Sequence, residues 1–134
     1  MISTKGRYAL RVMIDLAEQD SEGYVPLNAI AERQSISIKY LELILKGLVR
    51  NGLLEGQRGK GGGYRLTRPP EQYTVGEILE HSESTLCAVA CLQPDAAPCP
   101  RQEGCKTLPM WQEYDKMVHN FFYGITLASL VKGQ

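Results

Sequence analysis

Four cysteines, Cys87, Cys91, Cys99 and Cys105, lie in the stretch CAVACLQPDAAPCPRQEGC, and the 134-residue chain has no others. The gaps between them are three, seven and five residues. Thiolates are the ligands of soft metals and of iron–sulfur clusters. A set of four suits a 2Fe–2S or a 4Fe–4S cluster. It also suits tetrahedral zinc, whose structural sites pair cysteines two to four residues apart; Cys87 and Cys91 have that spacing, whereas Cys99 and Cys105 are wider. A thiol–disulfide switch would need neither a metal nor a fixed spacing. Pro94, Pro98, Pro100 and Gly104 keep the stretch out of regular structure, which suits wrapping around a cluster and equally suits a solvated loop. All three chemistries stay open on the cysteines alone.

The compartment narrows the choice. The opening segment MISTKGRYALRVMIDLAEQD reads as no signal peptide, because Arg11 and Asp15 interrupt its apolar run. No apolar run approaches the ~20 residues of a membrane span. A cytoplasmic protein with no membrane association is expected, and there clustered thiols serve metal or redox chemistry more often than structural bridges.

The elements that must position these thiols can be read along the chain. Its length fits one domain with an appendage. Tyr8, Val12, Met13 and Leu16 share one helical face, with Lys5, Arg7 and Arg11 largely off it; this helix is expected to end near Asp20. Pro26 opens a short second helix through Gln34, carrying Leu27, Ile30 and Ala31 inward. Ser35-Ile36-Ser37 is a tight connection. Ser37 is a plausible N-cap for a third helix with Leu41, Ile44, Leu45 and Leu48 inward, ended by Gly52. This is a helix-turn-helix pattern whose last helix carries Lys39, Tyr40, Lys46 and Arg50.

Two short strands, around Leu53–Arg58 and Tyr64–Thr67, flank GKGGG. A β-hairpin directly after such a helix is a wing. Arg58 and Lys60 sit at its tip, Arg65 and Arg68 at its base. A nucleotide-binding loop is the rival for GKGGG. A Walker loop requires Ser or Thr after the lysine, and Gly61 stands there; a dinucleotide fingerprint requires a helix next, and Tyr64-Arg65-Leu66 is extended. Charge follows the same division. Residues 1–70 carry 11 Lys and Arg against 7 Asp and Glu, and residues 71–134 carry 4 against 8. An anionic partner for the first half fits this asymmetry.

Beyond Pro69-Pro70, Thr74 and Glu77 form a capping box for a short helix burying Val75, Ile78 and Leu79. If that helix ran on, Cys87 and Cys91 would share a face. A long helix restarts at Thr107-Leu108-Pro109. Its apolar stripe includes Met110, Tyr114, Met117, Val118, Phe121 and Ile125, joined by Trp111 and Phe122. Gly124 ends it, and Thr126 caps a last turn through Leu130. The stripe is wide for a terminal helix; it could cover the chain's own core, but the N-terminal module has a core already, so burial against a second copy is expected. A two-fold dimer would set two recognition helices about 34 Å apart, one turn of DNA. The fold expected is mainly α with a small β-hairpin wing. Residues 1–83 form the winged helix-turn-helix domain, 84–106 the cysteine-rich loop, and 107–134 the dimerisation helix and C-terminal turn. No catalytic constellation is present; His81 and His119 have no triad-like neighbours in sequence, so no enzyme is expected.

STKGRYAL, SIKYLE, LVRNGLL, RGKGGGYRL and three spaced cysteines before a tryptophan-bearing helix together resemble the Rrf-two-type winged-helix regulators, the group of IscR, RirA and NsrR. The resemblance covers nearly the whole chain. It implies a homodimer that binds double-stranded operator DNA. It also implies an iron–sulfur cluster on Cys91, Cys99 and Cys105. The positions that match the family's DNA contacts are Ser37, Lys39, Tyr40 and Glu42 at the start of the recognition helix, and Arg58 with Gly59 and Gly61 in the wing. Lys5, Arg7, Arg50 and Lys60 complete the candidate DNA-binding set. Lys39 stands where a small polar residue is common.

Two departures concern the cluster. The seven-residue gap between Cys91 and Cys99 is looser than in IscR and NsrR and closer to RirA. The place of the IscR-like histidine ligand is Leu108, and that of the NsrR-like aspartate is Tyr8. Cys87 is the candidate fourth ligand. Alternatively, Cys87 is a small buried hydrophobe, and water, a small thiol, Asp95 or Glu103 completes the site. The resemblance implies an operator affinity switched by the cluster in response to iron, redox state or nitric oxide. Loss of the cluster would free the loop and let the two winged domains change their angle. Zinc or a thiol–disulfide switch could take the cluster's place. A different class, an iron–sulfur carrier or electron-transfer module, would have no use for the basic first half.

Overall fold

The first helix, α1 (Thr4–Glu18), starts where the Ser3 side chain accepts a hydrogen bond from the Gly6 amide. Ala9, Val12, Met13 and Leu16 recur at helical spacing and are buried. The computed structural model describes residues 2–19, 22–82 and 86–133. Within them α1 ends at Glu18, just short of the expected Asp20, which lies outside the described residues.

α2 (Leu27–Gln34) and α3 (Ile38–Arg50) follow. Between them Ser35 adopts the left-handed conformation, φ 54°, and the Ile36 amide closes the turn on the Ala31 carbonyl. Ser37 caps α3 by accepting from the Tyr40 amide at 3.3 Å. Asp15 is a buried charge. It accepts from Arg33 Nη2 at 2.7 Å, Arg33 Nε at 3.0 Å and Gln34 Nε2 at 2.9 Å. A carboxylate this deep is stable only when so paired. The Asp15 bond is also the main cause holding the Arg33 guanidinium pKa above its ordinary value. This network fixes α2 on α1.

β1 (Leu54–Gln57) and β2 (Gly63–Leu66) pair antiparallel, with Leu54 opposite Leu66 and Gln57 opposite Gly63. Val25 adds a bridge to Tyr64. The hairpin's base is held from within. Tyr73, fully buried, donates its hydroxyl to the Leu53 carbonyl at 2.7 Å. The same oxygen receives the Thr67 amide at 2.9 Å and the Arg68 amide at 3.2 Å.

Thr74 caps α4 (Val75–Ser82) by accepting from the Glu77 amide. The capping box is only half made. The Glu77 carboxylate turns to Arg68 instead, an ion pair worth more than a second cap bond.

α5 (Leu108–Tyr123) has no buried residue. Its wide apolar stripe resolves into two rows. Trp111, Val118 and Phe122 are half-buried, whereas Met110, Tyr114, Met117 and Phe121 are exposed at 53, 50, 63 and 63 %. α5 meets α4 where the Tyr123 ring covers Gly76; a β-carbon there would sit 2.2 Å from the ring. Burial and a bond to Glu80 raise the Tyr123 phenol pKa above its ordinary value.

α6 (Leu127–Val131), capped by Thr126, then returns to the first core. Leu127 is fully buried within the cluster built by α1 to α3. Its amide donates to the Tyr73 carbonyl at 3.0 Å, and the Val75 amide donates to Ile125 at 2.9 Å.

Tyr73→Phe removes one donor and an acceptor shared by two amides while keeping the ring. The expected cost is about 2 kcal/mol in urea denaturation, with far-ultraviolet helicity preserved in the native baseline.

Candidate nucleic-acid interface and thiol cavity

The outer face of α3 carries Lys39, Glu42, Leu43, Lys46 and Arg50, all exposed. Beside it, Glu42, Lys46 and Val49 form one wall of a groove of about 450 Å³, and Gln57, Arg58 and Tyr64 of the wing form the other. Arg58, Gly59, Lys60 and Gly61 are exposed at the hairpin tip. Gly59 and Gly61 have φ of 89° and 78°, backbone that glycine adopts without cost. Tyr8 packs edge-on against Tyr40 at 5.7 Å, which sets the start of α1 beside the start of α3. Lys5 and Arg7 are exposed there, and Arg7 donates to Thr4 at 3.3 Å. Tyr40 itself is half-buried, its ring partly spent on that packing.

The cations of the winged domain divide into two groups. Lys5, Lys39, Lys46, Arg50, Arg58 and Lys60 make no ion pair among the described residues. Arg65 and Arg68, at the wing's base, are paired with Glu55 and Glu77, and Arg65 also lies over the Tyr24 ring. These bonds to carboxylates are the main cause raising both guanidinium pKa values. They brace the hairpin. Arg11 is likewise engaged, by the Gln34 side chain and carbonyl. Cations without an ion pair thus line α3, the wing tip and the start of α1, where an anionic backbone can be met; Arg101, Lys106, Lys116 and Lys132, also unpaired among the described residues, lie in the cysteine loop and beyond.

The cysteine loop forms a separate site. Cys91, Cys99 and Cys105 line one cavity of about 230 Å³, together with Gln102, Leu108 and Gln112. Among the described residues no three Cys, His, Asp or Glu side chains are drawn onto a single point close enough to hold an ion. The three thiols occupy the walls. Cys105 lies 3.5 Å from the Thr107 hydroxyl, and that hydrogen bond is the first cause lowering its thiol pKa. The lining contains sulfur and carboxamides but no carboxylate or imidazole. Such a donor set fits a soft, thiolate-bound group and suits a hard cation poorly.

Cys87 is placed elsewhere. Leu86 and Cys87 are not helical, so no helix aligns Cys87 with Cys91. The Cys87 thiol donates to the Leu92 carbonyl at 3.3 Å. It faces a second cavity, with Glu80, Asp115 and His119. Asp95 and Glu103, the alternative carboxylates, do not line the three-thiol cavity. Sequence reasoning missed Thr107 and the two glutamines; Thr107, two residues after Cys105, was the one signal available.

The family model described as an iron-dependent transcriptional regulator, Rrf2, matches residues 2–133. The chain belongs to the Rrf2 family. It is 38 % identical to the transcriptional regulator IscR of Erwinia tasmaniensis over 133 residues, 99 % of this chain and 79 % of that protein. Among solved structures, CymR of B. subtilis, described as its global cysteine regulator, superposes with a TM-score of 0.79 at 34 % identity, covering 100 % of this chain and 98 % of CymR. IscR of T. potens superposes with a TM-score of 0.74 at 34 % identity, covering 98 % of this chain and 86 % of that one. As a member of the Rrf2 family the chain is a winged-helix transcriptional regulator and not an enzyme. No helix among the described residues is long and apolar enough to cross a membrane.

The division between free and paired arginines has a measurable consequence. Arg58→Ala is expected to weaken duplex DNA binding and to lower the slope of log affinity against log salt by about one. Arg65→Ala, which orphans Glu55, is expected to lower thermal stability with a smaller change in that slope.

Proposed function

We propose that this Rrf2 regulator is a cytoplasmic homodimer whose affinity for double-stranded operator DNA is set by an iron–sulfur cluster on Cys91, Cys99 and Cys105. The observation that carries this reading is that these three thiols line one cavity whose walls carry no carboxylate or imidazole. The likeness to IscR supports it. A cluster bound there would supply a bond network sensitive to iron supply and oxidants. The chain's own residues do the rest. Thr107 favours the thiolate of Cys105. Gln102 and Gln112 line the same cavity. Cys87 keeps its bond to Leu92 and stays outside the ligand set, so a water or a small thiol completes the fourth position.

DNA contact is assigned to Ser37, Lys39, Tyr40, Glu42 and Arg50 of the recognition helix. Arg58, Gly59, Lys60 and Gly61 of the wing add to it, flanked by Lys5 and Arg7. Dimerisation is assigned to the exposed row Met110, Tyr114, Met117 and Phe121, which would otherwise leave a continuous apolar face in water. The loop leads from α4, which packs on the winged domain, into α5. Ordering or freeing it changes how the two winged domains are held, and hence their fit to successive turns of the duplex.

The same thiols support a second reading, a cysteine oxidation switch. Two observations favour it. One is the lowered pKa of Cys105, since the thiolate is the reactive form. The other is the likeness to S. aureus CymR solved in an oxidised form, 31 % identical with a TM-score of 0.75 and covering 100 % of this chain and 98 % of that one.

Anaerobically purified protein is expected to show visible absorption with matched iron and sulfide. Cys91→Ala, Cys99→Ala and Cys105→Ala should each lose the absorption, and Cys87→Ala should keep it. Operator affinity should differ between loaded and stripped protein; equal affinities would sink the cluster switch. Colourless, metal-free protein that forms a disulfide under peroxide would favour the oxidation switch. For the dimer, Phe121→Glu should sediment as a monomer while retaining its helical circular dichroism.

A further inference from the structure

Leu43 is 62 % exposed in the middle of the solvent face of α3. Lys39 lies one turn before it, Lys46 one turn after, and Arg50 a turn further on. At these spacings they form one row along the helix. Leu41, Ile44, Leu45 and Leu48 fill the core from the opposite side. Leu43 takes no part in that core. Removing it from the helix would cost little, because other residues have equal helix propensity and would not expose apolar surface to water.

A single exposed leucine is ordinary on a protein surface. What distinguishes Leu43 is its setting: three cations without carboxylate partners share its row, and the arginine-tipped wing stands beside the helix. The surface around it is complementary to a polyanion. In the major groove of B-DNA the base edges display donors, acceptors and one apolar group, the C5-methyl of thymine. Lysine and arginine on the row can meet phosphates or guanine, but none of them gains from that methyl.

We propose that Leu43 is a specificity-determining residue that reads a thymine C5-methyl group within each operator half-site. The proposal rests on the DNA-binding reading and deepens it. Phosphate contacts from Lys39, Lys46 and Arg50 set the helix in the groove, and Leu43 converts that placement into preference for thymine at one position. The gain comes from removing the leucine side chain and the methyl from water together, so it is lost when either is absent.

The test uses the full chain and a duplex that it selects from a random pool. Each thymine of the selected half-sites is replaced in turn by uracil, which keeps every hydrogen-bonding group and lacks only the methyl. For the wild type, one position per half-site should weaken binding by about fourfold to tenfold. For Leu43→Ala the same replacement should cost no more than about twofold, and its affinity for the thymine duplex should already be reduced to a similar degree. Leu43→Gln, of similar length but polar, should behave like the alanine variant. Both side chains lie outside the core, and alanine favours helix, so folding is preserved. Equal uracil penalties in wild type and variant would assign the methyl to another residue and overturn the proposal. No uracil penalty at any position in the wild type would overturn it too, leaving Leu43 as a contact for something other than a base. Enrichment of no duplex above the starting pool would overturn the DNA-binding reading itself, and this inference with it.

Discussion

The hydroxyl of Tyr73 is the constraint on which the arrangement of this molecule turns. A phenol in a fully apolar setting must find partners or cost stability. This one finds three backbone groups, all at the foot of the wing. Through its ring it fills the core shared by α1 to α3. Through its own carbonyl it receives the C-terminal turn. One residue therefore fixes the wing relative to the recognition helix and ties both to the last helix. Arg68 adds a second strap, its guanidinium stacked over the Tyr73 ring and bonded to Glu77 of α4. The geometry with which α3 and the wing straddle a groove is thus set partly by residues far beyond them in sequence.

The half that carries the cysteines is built in a different manner. It has little core of its own. α5 rests on α4 through the close approach of Tyr123 to Gly76 and buries no residue fully. The loop before it is held by sparse bonds, such as the Ala88 amide to Asp115 at 2.9 Å. Segments with few buried contacts open at low cost. A ligand that gathers Cys91, Cys99 and Cys105 would therefore act on the part of the molecule that has least to lose by moving. The winged domain, by contrast, is rigidly packed and suited to reading a fixed surface.

How much of this was legible in the sequence depended on how local the cause was. The Ser37 cap, the Thr126 cap, the glycine-rich hairpin and the inward face of α3 all follow from residues within a few positions of one another, and the structure has them. Asp15 looked like an interruption of an apolar run; it is a buried ion-pair partner of Arg33, 18 residues away. Tyr73 carries no local signal in the sequence, because its partners Leu53 and Thr67 are brought near only by the hairpin. Glu77 was read by a local rule as half of a capping box, and a longer-range arginine claimed it. A shared face for Cys87 and Cys91 required a continuing helix, and Leu86 and Cys87 are not helical. Of the candidate site, the gathering of the cysteines in one loop and the glycine-rich tip of the wing were legible from spacing and composition, whereas the choice of Cys91, Cys99 and Cys105 rested on the family resemblance. The sorting of arginines into free and braced was not, since it depends on which carboxylates the fold delivers.

The placement of Leu127 in the N-terminal core carries a consequence for synthesis. The segment from Leu86 to Ile125 is an excursion that leaves the winged domain and comes back to it. During translation the helix-turn-helix and the wing emerge first, but their core lacks a buried side chain, and Tyr73 lacks its backbone partner, until Leu127 has cleared the ribosome. Contacts of such sequence separation form late, because the intervening loop must be closed first. The DNA-reading surface is thus completed only after the cysteines have been made and have left the tunnel. A nascent chain has its thiols before it has its finished wing mount.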